Sequence, residues 1–393
     1  MRDLAFLLVV ASAVLLAATW VVYPLWLRLR APYHPAFMPS GRHARWPSVT
    51  IVVIVRDGAE ALRHLLNNLL ALAYPPDLRR ILVVSVASSD WTDAVVRLFA
   101  DRGVELLRIK KPGPGTENIV RRYVDSEVVV RVHPLARLRP SALAALVTPF
   151  ADRSVGVAYA REITPRLTDV NARTAETMYR RFEGRLRERE TRVFGTASAR
   201  GSLYAVRGPL YRAPVPGGLS PDLAEALTAR EHGYRAVYVP DAACIIARDS
   251  SPRSDYINTM HAVKREVVTV FNKRHLLNPY HYGAFAWILL GHKLGRWLSP
   301  WALLGAAAGL LLLAPAQPLA LDGLAALGAL ALLAVVAWLK PGRSWVGRIA
   351  AIPVQVAAIG VAFAHACVSA LRITPDLTLT SAGRPIRNVR LRF

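Results

Sequence analysis

Pro47-Ser48-Val49-Thr50-Ile51-Val52-Val53-Ile54-Val55-Arg56-Asp57 is the stretch that decides the fold. Every residue from Val49 to Val55 is β-branched, which stiffens χ1 and suits a pleated strand better than a helix. The run is too short for a buried helix, and it lacks the polar alternation of a strand with one wet face. It predicts a central strand of a parallel sheet, buried on both sides.

Working outward, residues 59–72 carry a helical pattern and 81–86 a second apolar strand. Residues 104–109 read as a third strand, 116–124 as a helix and 128–132 as a fourth strand. Strands alternating with helices predict an α/β class with a doubly wound sheet. Further on, 174–193 is an Arg- and Glu-laced helix with Met178, Phe182 and Leu186 at four-residue spacing, so one face can pack while the rest is solvated. A strand is expected around 235–246 and a helix over 256–271.

Both ends of the chain differ from this middle. Residues 4–27 hold no charge, enough to cross about 30 Å of hydrocarbon as a helix. Trp20, Tyr23 and Trp26 sit where an aromatic belt would lie, with Arg28 and Arg30 beyond them. A cleaved signal peptide is the alternative, against which stand the length of the run and the barely basic Met1-Arg2-Asp3. The expected organisation is a transmembrane helix (4–27), a Pro-rich basic connector (28–47), a cytoplasmic domain (48–275), an interfacial helix (280–298), three further spans (299–315, 324–339, 349–371) and a basic tail (372–393). Arg28, Arg30, Arg42 and Arg45 place the connector in the cytoplasm by the positive-inside rule, and Lys340, Arg343 and Arg348 do the same for the loop before the last span. Four spans would send the tail outside, yet it carries Arg372, Arg384, Arg387, Arg390 and Arg392. These agree only if one apolar segment does not cross.

Over the whole chain, 53% of residues are hydrophobic, and 50 Lys and Arg against 27 acids give a formal charge of +23. That excess attracts polyanions or an anionic lipid surface. Nucleic acid is not the expected partner, because the basic residues are scattered and no helix-turn-helix, zinc-finger or stacking motif accompanies them. Two cysteines, Cys244 and Cys367, exclude a disulfide framework and a Cys-based metal site.

Several strings resemble the membrane-integrated, processive or lipid-associated branch of the family 2 glycosyltransferases. Pro47 to Val53 with Arg56-Asp57 is similar to that family's first strand and turn, and Asn68-Leu69-Leu70-Ala71-Leu72-Ala73-Tyr74-Pro75 to the helix end before its second strand. Gly201-Ser202-Leu203-Tyr204-Ala205-Val206-Arg207 resembles the segment beneath the acceptor site, and His292-Lys293-Leu294-Gly295-Arg296-Trp297-Leu298-Ser299-Pro300 the entry to the C-terminal spans. The resemblance implies a Rossmann-like nucleotide-sugar-transferase fold with N- and C-terminal membrane helices. The donor would lie at the C-terminal ends of the parallel strands.

Such chemistry asks for an acid at the nucleotide, a carboxylate-held divalent cation on the leaving diphosphate, a carboxylate base and groups closing over the product. The family's Asp-Gly-Ser-x-Asp string appears as Ser85-Val86-Ala87-Ser88-Ser89-Asp90, keeping only Asp90; the bland alternative is a turn stabilised by Asp90. Its metal-binding Asp-x-Asp appears as His133-Pro134-Leu135, a poor Mg²⁺ or Mn²⁺ site because hard cations want several oxygens. The acidic pair appears as Ser220-Pro221-Asp222, leaving Asp222 as candidate base or as an ordinary first-turn acid. The closing Gln-x-x-Arg-Trp appears as Ala262 to Glu266, keeping Arg265. Candidate nucleotide-binding residues are Arg56, Asp57, Asp90, Lys110 and Lys111, the two lysines opening a Gly-containing loop that can hold phosphate or be a solvated turn. No metal is expected unless other residues rebuild its site.

The expected function is therefore a catalytically degenerate scaffold or partner in surface polysaccharide or glycolipid assembly. Its expected partners are anionic lipid, a second membrane protein and, as an open possibility, a nucleotide-sugar. The alternatives are an active inverting transferase without a bound metal and a lipid- or nucleic-acid-binding protein unrelated to sugars.

Overall fold

A computed structural model describes residues 1–31, 45–113, 115–163, 173–197, 201–246, 252–339, 360 and 363–364. The expected tail 372–393, nearly all of the 349–371 segment and residues 32–44 of the connector lie outside the described residues.

The middle of the chain is an α/β domain on one eight-stranded sheet of order β3-β2-β1-β4-β7-β6-β8-β5. The strands are β1 (Val49–Val55), β2 (Arg79–Val86), β3 (Val104–Ile109), β4 (Val128–Val132), β5 (Ala136–Leu138), β6 (Val155–Ile163), β7 (Leu203–Arg207) and β8 (Arg235–Ile246). β1 pairs parallel with β2 on one side, Val49 to Val55 against Arg79 to Ser85, and with β4 on the other. β7 runs antiparallel to both β4 and β6, and β5 antiparallel to β8. The sheet is thus mostly parallel, as expected, with two reversed strands. Both of those, and β6, went unread in the sequence, because each is short or interrupted by small residues.

Core packing follows from the side-chain period of two. Val49, Ile51, Val53 and Val55 pack on one face with Leu62, Leu65, Leu66 and Leu69 of the Ala59–Leu70 helix. Those leucines recur at i, i+3, i+4 and i+7, the buried stripe of an amphipathic helix, and each fully buried leucine contributes roughly 1.5–3 kcal/mol. Val52 faces the other way, with Leu82, Val84 and Val129.

Two helices among the described residues are long and apolar enough to cross a membrane, Arg2–Arg30 and Ala284–Leu313. The stretches expected as an interfacial helix and as the next span run together in the second of these, without a break at residue 298. Each contains one π-helical turn, at Ala18–Val22 and Leu290–Leu294. The two helices pack closely because glycines meet the first: a Cβ on Gly309 would lie 2.9 Å from the Ala5 carbonyl oxygen, and one on Gly291 would lie 2.6 Å from the Tyr23 ring. A third helix, Pro318–Leu339, follows.

A buried ionic cluster ties these helices to the domain. Glu183 and Glu190 project from the Arg173–Val193 helix toward His292 and Arg296 of Ala284–Leu313. Tyr23 donates its hydroxyl to Glu190, Thr196 donates to the other Glu190 oxygen at 2.7 Å, and Arg187 lies 3.0 Å from Glu183. Burial opposes ionisation of Glu183, but Arg296 and His292 outweigh it and hold the carboxyl well below the usual range. Removing one partner leaves an uncompensated buried charge. We expect Arg296→Met or Glu183→Gln to cost on the order of 3 kcal/mol in thermal unfolding of the full chain in detergent, with Arg97→Gln on the exposed surface nearly silent. Unchanged unfolding in both cluster variants would contradict this assignment.

Candidate functional site

Strands β1, β2, β3, β4, β6 and β8 run the same way. Their C-terminal ends therefore open on one crevice, the usual ligand position of an α/β sheet.

At the mouth of β1, Asp57 adopts φ +48°, a left-handed conformation that Asp tolerates better than most residues. Its Oδ1 accepts from the Ser89 N–H at 2.7 Å, the Ser89 hydroxyl at 3.1 Å and the Asp90 N–H at 3.4 Å. In return, the N–H groups of Asp57 and Gly58 donate to the hydroxyls of Ser88 (3.3 Å) and Thr92 (3.1 Å). Asp90 accepts from the N–H groups of Ala59 (3.1 Å) and Thr92 (2.9 Å), and from the Thr92 hydroxyl. The two expected nucleotide-binding acids are thus brought together, Asp90 through both oxygens and Asp57 through Oδ1 alone, in clasping the turn after β1 to the turn after β2. Hydrogen bonding to the ionised form lowers both carboxyls, chiefly from the Ser89 backbone for Asp57 and from the Thr92 hydroxyl for Asp90. Arg56 lies exposed beside this clasp, its Nε 3.7 Å from Asp57. Lys110 and Lys111 lie in an exposed turn after β3, where Thr116 closes the loop by accepting from the Gly113 N–H at 3.0 Å.

The remaining positions do not fit a hard divalent cation. Val86 is buried among Ile109, Val120 and Val124. The His133 ring accepts the Leu135 N–H through Nδ1 at 3.2 Å, so that lone pair serves its own turn, and Leu135 offers only carbon. Among the described residues no group of three His, Cys, Asp or Glu side chains is placed to hold a metal.

A second cluster forms around Gly201 and Ser202. The His133 N–H donates to the Ser202 carbonyl at 2.9 Å. Asp222, in the first turn of Pro221–Glu231, accepts from the Ser220 hydroxyl at 2.5 Å and lies so close to Gly201 that a Cβ there would meet its Oδ2 at 3.0 Å. Tyr159 donates its hydroxyl to the Asp222 carbonyl, and Ser202 donates to Glu162 at the end of β6. Glu162 was missed in the sequence because β6 was not read. Arg265 is exposed and enters only through its backbone: its carbonyl accepts from Thr269 at 2.6 Å, and Thr269 accepts from the Ser220 N–H at 2.8 Å.

A partly buried array forms behind β4 that had no reading in the sequence. Arg131 pairs with Glu117 through both terminal nitrogens, at 2.6 and 3.0 Å, and reaches the Tyr211 hydroxyl at 3.0 Å. Arg121 pairs with Glu225. The available signal was Arg131 itself, a lone charge among the valines of β4 that required a buried partner.

The clasp predicts a pH dependence. A carboxyl lowered by folding contributes stability that is complete above its unfolded pKa and disappears as pH falls through the folded value. Asn keeps an acceptor and tolerates positive φ, so Asp57→Asn removes mainly the charge. Its melting temperature should lie below wild type at pH 7, and the gap should begin to close as pH falls past about 4 and vanish only below the lowered folded value. A gap independent of pH would show that the charge does not hold the clasp.

Comparison with known proteins bears on this geometry. Residues 47–276 match the family model described as glycosyltransferase like family 2. Among solved structures, the mannosyltransferase PcManGT from Pyrobaculum calidifontis, determined with GDP-Man and Mn2+, aligns over 93% of this chain and 97% of its own with a TM-score of 0.68 and 24% identity. That likeness shows a shared fold. Glucosyl-3-phosphoglycerate synthase from Mycobacterium tuberculosis (14% identity, 58% of this chain and 78% of that one, TM-score 0.40) and TarS from S. aureus (14%, 64% and 72%, 0.43) align more loosely. No match was found among curated proteins. With a family match spanning the sheet, the crevice and the Asp222 cluster, the chain belongs to the glycosyltransferase like family 2.

Proposed function

We propose that this protein is a membrane-anchored, catalytically degenerate member of its family, serving as a scaffold or partner in assembly of a surface polysaccharide or glycolipid. The observation that carries the proposal is the clasp: Asp90 directs both oxygens, and Asp57 its Oδ1, to backbone N–H groups of the two loops at the mouths of β1 and β2. Val86, His133 and Leu135 supply no carboxylate beside them. A nucleotide diphosphate entering there would meet two anions and no cation cage.

The domain faces the cytoplasmic side, with Arg2–Arg30 and Ala284–Leu313 crossing the inner membrane of a bacterial-type cell. Their lengths and apolar composition support this placement, as does the basic run that follows the first helix. A fold that keeps its domain and its helices in one packed unit suits docking beside an active membrane transferase or export component, its arginines supplying complementary charge.

A second reading rests on the Asp222 cluster. Asp222 is held beside Gly201 with Glu162 nearby through Ser202, where a carboxylate base could deprotonate an acceptor hydroxyl with arginines or lysines in place of a metal. On that reading the chain moves a sugar from a nucleotide-sugar, such as the GDP-Man bound by PcManGT, to a lipid or polysaccharide acceptor.

Mutation separates the two. On the scaffold assignment, Asp222→Ala leaves cellular polymer or glycolipid output nearly unchanged, deleting the chain lowers it, and purification in mild detergent recovers a second membrane protein. Loss of purified nucleotide-sugar turnover in a well-folded Asp222→Ala protein, with no partner recovered, would establish the transferase instead.

A further inference from the structure

The Arg173–Val193 helix has two charged faces. Glu183, Arg187 and Glu190 point inward to the buried cluster. Arg181, Arg185, Arg189 and Arg192 recur at i, i+4, i+8 and i+11, which gathers them within about 80° of the opposite side. Arg28, from the end of the Arg2–Arg30 helix, joins them, because the two helices share an apolar cluster through Leu27, Trp26, Phe182 and Leu186.

Five guanidinium groups therefore meet with one carboxylate, Glu188, on that side of residues 181–193. Burial and the positive charge of Arg28, Arg185 and Arg192 together lower the Arg189 pKa. Gathering like charges is unfavourable unless an anion is there to meet them. The position indicates which anion: Arg28 and Arg30 close the last turn of the apolar Arg2–Arg30 helix, where basic residues flank a span at the headgroup level.

We infer that the Arg28, Arg181, Arg185, Arg189 and Arg192 stripe is a docking surface for the anionic phospholipid headgroups of the bilayer that receives the Arg2–Arg30 helix. This rests on the membrane placement proposed above and names the surface that makes it lipid-selective. Guanidinium groups match phosphate geometry through paired N–H donors. The stripe holds the domain at a fixed tilt against the bilayer, while the inner face of the same helix carries the buried cluster that joins the domain to the apolar helices.

The test uses the full chain in neutral detergent, titrated with short-chain phosphatidylglycerol or phosphatidylcholine and read by native mass spectrometry. Wild type should prefer phosphatidylglycerol, and the preference should weaken with salt. Replacing Arg181, Arg185 and Arg189 with Gln should weaken phosphatidylglycerol binding on the order of a hundredfold, about fivefold per arginine. The Lys triple should stay within severalfold of wild type, as should Arg63→Gln/Arg97→Gln/Arg122→Gln on the exposed surface. Wild-type binding by the stripe variant, equal loss in the surface variant, or preference for a DNA duplex over the lipid would overturn the assignment. Alkaline extraction of membranes keeps its failure distinct from that of membrane insertion. If the wild-type chain resists extraction while stripe and surface variants bind alike, the insertion stands and the stripe does not; release of the wild-type chain sinks both.

Discussion

Parallel pairing on both edges of β1 governs the rest of this molecule. With Val49 to Val55 bonded to β2 on one side and Val49 to Val52 bonded to β4 on the other, the strand is buried along its length except at the half-buried Ile54. Its C-terminal end is then fixed at the middle of the crevice. Asp57 has little freedom there: one residue past the preceding Arg56, it must turn the chain into the Ala59–Leu70 helix, and it does so at positive φ. The cost of that backbone is offset by the hydrogen bonds its carboxylate accepts from the loop after β2. The clasp is accordingly a product of the fold as much as of the residues, and it uses both oxygens of Asp90 and one of Asp57.

The same chain builds two further buried charge clusters. The array of Arg131, Glu117 and Tyr211 with Arg121 and Glu225 lies behind β4. The cluster of Glu183, Glu190, His292 and Arg296 joins the domain to the apolar helices. Buried ion pairs contribute less to net stability than to fixing a single arrangement, since each charge is tolerable only with its partner in place. A rigid link between domain and helices suits the scaffold role proposed above.

How much of this was legible in the sequence depended on periodicity. Val49–Val55, the leucine stripe of Ala59–Leu70 and the uncharged run near the N-terminus carry strong local signals, and each reappears as an element with nearly the expected bounds. β5 has only three residues and β7 only five, and β6 opens on alternating small and apolar residues. Their pairing is long-range, so the reversal at β7 could not be read locally. At the site, the departures at Val86, His133 and Leu135 were visible as residues. That Asp57 and Asp90 bind one another's loops was not, because it depends on two turns more than thirty residues apart in sequence meeting in space. Glu162 escaped for the same reason.

On the scaffold proposal, the mouth of the sheet offers a nucleotide diphosphate no metal-assisted site. Isothermal titration of the full chain in detergent with GDP and UDP, each with and without Mn²⁺, tests it most directly. Mn²⁺ is then expected to add nothing to the heat or affinity of either nucleotide. Tight binding that appears only with Mn²⁺, and is lost in Asp57→Asn or Asp90→Asn, would contradict it and return those carboxylates to the chemistry.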